Sequence, residues 1–177
     1  MKVKGFRLHI IILVALISFL LFFGGKFFYQ RYFVLEPLLR QVRAIEGVGE
    51  VGVSYPGNGK LFTVSLGDVE DLMDTYGEIN GQLEKVFEKQ SYTLFLQDGR
   101  NEILEGVYHP IHFAIYEAIA QGNFTHLAAF VSEQAADNGL EKHRVTVDGE
   151  RVYLQLHLGD AYLYEIVSRT EYGKGGG

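Results

Sequence analysis

"RVYLQLHLGDAYLYEIVSR" spans residues 151–169. Its alternation sets Val152, Leu154 and Leu156 on one face of a strand and Tyr153, Gln155 and His157 on the other. Gly159-Asp160 reads as a turn. Beyond it, Tyr162, Tyr164 and Ile166 alternate with Ala161, Leu163, Glu165 and Val167. Upstream, Asp148-Gly149 joins this stretch to "HRVTV" and is a tight-hairpin signal. Strands linked by hairpins, with helices set apart from them, predict an α+β fold with a mainly antiparallel sheet packed by two or three helices. The aliphatic face needs a helical partner, and residues 69–87 offer one. That choice leaves Tyr153 and His157 on an exposed face, where they form one candidate interaction surface.

Two helical stretches are clear. In "DVEDLMDTYGEINGQLEKVFEK" (68–89), Val69, Leu72, Met73, Tyr76, Ile79, Leu83, Val86 and Phe87 fall within about 140°. Asp68 suits the N-cap. The second stretch covers 102–121 and includes "VYHPIHFAIYEAIAQ". Its apolar phase, through Leu104, Val107, Tyr108, Ile111, Ala114, Ile115, Ala118 and Ile119, runs straight across Pro110, which predicts one helix rather than two. His109, His112, Phe113, Tyr116 and Glu117 fall on the other side. His109 and Glu117 stand about 12 Å apart along such a helix, whereas metal ligands meet within about 2 Å of one centre. No metal site is expected, and Phe113, Tyr116, His109 and His112 become the main candidate interaction surface.

Charge divides the chain. Residues 1–43 hold seven Lys/Arg and one acidic residue, net +6; residues 44–177 hold nine Lys/Arg and 21 Asp/Glu, net −12. The uncharged run "HIIILVALISFLLFFGG" (9–25), flanked by aromatic and basic residues, predicts a single transmembrane helix, with residues 9–29 in the lipid bilayer. Bulky residues follow it where a signal peptidase would need small ones, so an uncleaved anchor is expected. Its short N-terminal tail points to an N-in/C-out orientation, with the soluble domain extracytoplasmic. The expected organisation is a tail and anchor over 1–33, a soluble domain over 34–172, and a glycine-rich tail over 173–177.

Between the anchor and the first long helix, "VLEPLLRQVRAIEG" reads as a helix ending at Gly47. "EVGVSY" and "KLFTVSL" flank "PGNG" and read as a hairpin. "SYTLFLQD" is a third strand. The helix-strand-strand-helix-strand order over 34–98 resembles that of ring-building modules in secretion and sporulation complexes. The likeness is one of element order alone, and the long helix at 102–121 departs from it.

Without cysteine there is neither a disulfide nor a thiolate site. There is no "GxxxxGK[ST]", no "GxGxxG" after a strand, no "GxSxG" and no "HExxH", so no catalytic residue and no cofactor is assigned. The acidic domain disfavours nucleic acid. The expectation is a membrane-anchored, non-catalytic interaction or scaffold module of a cell-envelope protein, docking onto a protein partner or onto itself. The alternative is a membrane-tethered ligand-sensing or hydrolytic domain with a pocket near the His109/His112 helix.

Overall fold

The computed structural model describes residues 12–19, 34–57, 59–87 and 91–170. The chain divides into two compact units, Met1–Gln41 and Val42–Gly177.

In the first unit, residues 12–19 form helix α1. Eight residues rise about 12 Å, against a hydrocarbon core of about 30 Å. Among the described residues, no helix is long and apolar enough to cross a membrane. The expected transmembrane anchor, with its single-pass placement, is therefore corrected. Apolar composition over 9–25 is not matched by a helix of spanning length among the described residues. The rest of the stretch 9–29, and the glycine-rich tail at 173–177, lie outside the described residues. Helix α2 (Glu36–Arg43) runs across the boundary of the two units and carries Leu38, Leu39 and Val42, all buried at the expected helical spacing, as is Leu35 just before it.

The second unit is α+β. Strands β1 (Val48–Ser54) and β2 (Leu61–Leu66) are followed by helix α3 (Leu72–Glu84) and strand β3 (Thr93–Gln97). Helices α4 (Glu102–Gln121) and α5 (Phe124–Asp137) come next. Strands β4 (Lys142–Val147), β5 (Arg151–Leu158) and β6 (Ala161–Ser168) complete it. The strands make two three-stranded sheets, β1-β2-β3 and β4-β5-β6, rather than the one expected. The second is wholly antiparallel. The first is mixed, because α3 carries the chain back so that β3 runs parallel to β2; a parallel pair needs a crossover of this kind. Helix α3 starts later than expected. Its N-cap is Asp71, whose carboxylate accepts from the Met73 and Asp74 amides. Asp68 stays outside the helix and pairs with Lys142 and His157.

Strand β5 is covered on both faces. Val152, Leu154 and Leu156 pack with Leu104, Val107, Ile111, Ile115 and Ala118 of α4, with Leu127 and Val131 of α5, and with Leu163 and Val167 of β6. The aliphatic face thus meets α4 and α5, and the expected partnership with helix 69–87 is reversed. The opposite face meets α3 and the loop before it. The Gln155 amide accepts from the Leu72 N–H at 2.9 Å and donates to the Val69 carbonyl at 3.3 Å. The Tyr164 hydroxyl donates to the Gly67 carbonyl at 2.9 Å and accepts from the Val69 N–H at 3.1 Å. Tyr153 meets Tyr76 of α3 edge to face at 5.9 Å. Gln155 and Tyr164 are buried here because the loop supplies main-chain partners for both.

Candidate functional site

Helix α4 carries a cluster of ring side chains. Its ends are fixed locally. Asn101 caps the start by accepting from the Leu104 N–H at 2.9 Å, and Gly122 closes the end in the left-handed region at φ 71°. Asn123 follows directly and α5 begins, so the two helices form a tight antiparallel hairpin. Pro110 lies inside α4, and the helix continues through it as the phase of its apolar residues predicted.

One side of α4 is buried in the core; the other carries the rings. His112 stands at the centre. Its Nδ1 lies 3.0 Å from the Tyr108 hydroxyl. Its ring meets Tyr116 at 4.9 Å and Phe113 at 5.5 Å, and His109 meets Phe113 at 5.4 Å. Phe113 is 62 % exposed. Burial holds the Tyr108 hydroxyl protonated well above the usual tyrosine range, so it is a neutral hydrogen-bonding group. Beside Phe113 runs a groove of about 220 Å³ between α4 and α5, floored by Pro110, Ala114, Ala118, Leu127 and Phe130. Its rim is polar: Glu117, Gln121, Asn123 and His126. Small alanines on the floor and an aromatic at the lip suit an apolar side chain from a partner.

The structure gathers His109, His112, Phe113 and Tyr116 on one surface, but not the other two candidates. Tyr153 is 3 % exposed and His157 6 %. They lie on the face of β5 turned away from α4, so the expected exposed tyrosine-histidine face is corrected: the 67–72 loop and α3 cover it. The Tyr153 hydroxyl donates to Asp148 at 2.7 Å. His157 Nδ1 lies 3.3 Å from Asp68. Burial depresses the His157 imidazole below its ordinary value, opposed by Asp68 and assisted by Lys142.

The space between α4 and the C-terminal strands, where a pocket using His109, His112 or His157 was the alternative, is filled by packed aliphatic side chains. The groove on α4 is lined by His126 and not by His109 or His112. His143 Nε2 approaches the Ser132 hydroxyl at 3.1 Å, but that hydroxyl donates to the Ala128 carbonyl at 3.0 Å. Its proton is therefore turned away from the imidazole. Among the described residues, no three His, Asp or Glu side chains gather around a metal-sized centre.

Sequence reasoning missed the α5 side of the groove. Nothing in the spacing of the apolar Leu127 and Phe130 distinguishes a groove from a sealed interface. It also missed a second opening of about 410 Å³ between β3 and β6, lined by Leu94, Leu96, Arg100, Arg151, Tyr164 and Ile166 among others. No family model matches the chain, and no curated protein or solved structure matches it.

Proposed function

We propose that residues 42–170 form a non-catalytic protein-interaction module that docks a partner protein on the ring-bearing face of α4 and the adjoining α4–α5 groove. The observation that carries this reading is Phe113. A phenylalanine 62 % exposed, flanked by two histidines and a tyrosine and placed at the lip of a groove with an apolar floor, is arranged as an interface anchor is. The partner's matching feature is one apolar side chain seated over Ala114 and Ala118, ringed by groups that bond to Glu117, Gln121 and His126.

Site-specific photocrosslinking tests it. A benzophenone amino acid replaces Phe113 in one version of the full chain and Glu133, on the exposed side of α5, in a control. The expected result is a discrete crosslinked species from position 113 that Ala114→Arg, at a partly buried position lining the groove, abolishes. Ala114→Glu tests the same loss with the opposite charge. Equal, diffuse crosslinking from both positions, or a discrete species indifferent to both substitutions, removes the assignment.

A further inference from the structure

The two sheets touch at a bridge between Gly99 and Tyr162. The Tyr162 N–H donates to the Gly99 carbonyl at 3.3 Å, forming an antiparallel bridge just beyond the end of β3. The next position of β6 is held by side chains. The Asp98 carboxylate accepts from the Tyr164 N–H at 2.7 Å, and an Arg100 Nη donates to the Tyr164 carbonyl at 3.2 Å. Past this stitch the strands separate, and the 410 Å³ opening lies between them. Gly99 has no side chain to keep the strands apart: a Cβ there would lie 2.9 Å from the Tyr162 ring.

Both rims are strand edges. The Thr93 N–H bonds to the Lys60 carbonyl, so Thr93, Phe95 and Gln97 turn their main chain toward β2. By the alternation of a strand, Leu94 and Leu96 turn theirs into the opening. On β6, Arg169 bonds to the Glu150 carbonyl and Tyr162 to Gly99, so odd positions face β5 while Ile166 and Ser168 face the opening. Four residues thus offer main-chain donors and acceptors across one gap. That is the recognition chemistry of an added strand.

The side chains define what such a strand carries. Leu94 and Leu96 register with Phe62 and Val64 on the buried face of their sheet. Ile166 and Tyr164 register with Tyr153 and Gln155. Tyr76 and Arg151, stacked at 5.1 Å, also line the opening. Inward-pointing residues of an inserted strand therefore meet aliphatic and aromatic walls. Outward-pointing residues emerge beside exposed Phe95 and beside Glu165. At that end Asp98, Glu105 and Glu165 share the single guanidinium of Arg100, an excess of two negative charges. The second half of the chain is itself strongly acidic, at −12 over residues 44–177.

We infer that the cleft between β3 and β6 binds an extended peptide segment alternating apolar and basic residues, inserted as a strand between the two sheets. This site is separate from the α4 face and does not depend on it.

The test uses the full chain and a short synthetic peptide alternating valine with lysine. Amide hydrogen exchange is followed by NMR. Saturable binding is expected to slow exchange at Leu94, Leu96, Ile166 and Ser168. N-methylation of alternate peptide residues is expected to abolish the effect, and replacing lysine with glutamate to weaken it. Glu165→Lys is expected to weaken the lysine peptide roughly fivefold, as one exposed ion pair allows, and Phe113→Ser to leave it unchanged. Unaltered exchange at these four amides with millimolar peptide overturns the inference. So does equal binding of the glutamate or N-methylated peptide, or loss of binding in Phe113→Ser.

Discussion

Removing one oxygen atom should loosen the junction between the sheets. The Tyr164 hydroxyl is buried and makes two hydrogen bonds to the loop before α3, to Gly67 and Val69. In Tyr164→Phe both are lost while the ring remains. Each bond contributes about 1 kcal/mol net, and an unpaired buried amide costs about 1–3 kcal/mol. The expected loss is therefore about 2–4 kcal/mol. For a chain of this size that lowers Tm by roughly 6–12 °C. Urea unfolding followed by far-UV circular dichroism measures it, since the sequence has no tryptophan to report. Amide exchange localises it: Val69 should lose protection before the core of β5 does. Gln155→Met removes the neighbouring pair of bonds, to Leu72 and Val69, and should cost a similar amount. The double variant should cost less than the two together, because either change alone frees the same loop. A loss under about 0.5 kcal/mol for Tyr164→Phe, with the Val69 amide still protected, would falsify the view that side chains of β5 and β6 hold this loop.

Leu154→Ala should cost about 2–5 kcal/mol, and Tyr153→Ala should fall within about 1 kcal/mol of it, because both faces of β5 are covered; a much milder tyrosine variant in denaturant melts would mean that its face is wet. Gly47→Ala should cost about 1–3 kcal/mol, since φ is 78° there and a Cβ would lie 2.4 Å from Val69 Cγ1; unchanged stability would count against that contact. Acid should destabilise the fold through His157, whose folded-state value lies below its ordinary 6.5. The unfolded chain takes up this proton first, so stability is full above about pH 6.5 and falls as pH drops below it toward the lower folded value. His157→Gln should flatten that part of the profile, and an unchanged slope would assign the proton uptake elsewhere.

Local pattern carried much of the fold. The phase of α4 survived Pro110 because Leu104, Val107, Ile111, Ile115 and Ala118 are all core residues, and burial on one face outweighs one missing main-chain hydrogen bond. The Asp148-Gly149 turn and the flanking strands were equally local. Asp148 accepts from the Glu150 and Arg151 amides, as its position in a turn requires. The parallel pairing of β2 with β3 was not readable, because strand direction depends on where α3 returns the chain. The anchor failed for a related reason. Hydropathy over 9–25 is a property of composition, while spanning a membrane also needs continuous helix of sufficient length.

The sharpest failure lies in the opening stretch, and its cause is physical. Alternation correctly separated Val152, Leu154 and Leu156 from Tyr153, Gln155 and His157, but it gave each face the wrong neighbour. Polarity suggested that the second face was wet. Gln155 and His157 of β5 and Tyr164 of β6 are buried there because the loop at 67–72 brings two carbonyls, two amides and a carboxylate to meet them. That complementarity spans some ninety residues of sequence, from Gly67 to Tyr164, and no window along the chain contains it. The same arrangement bears on function. With both faces of β5 closed, the proposed docking surfaces are the outer side of α4 and strand edges. The first is visible in sequence as rings opposite an apolar stripe. The second appears only once Gly99 and Tyr162 bring β3 and β6 together.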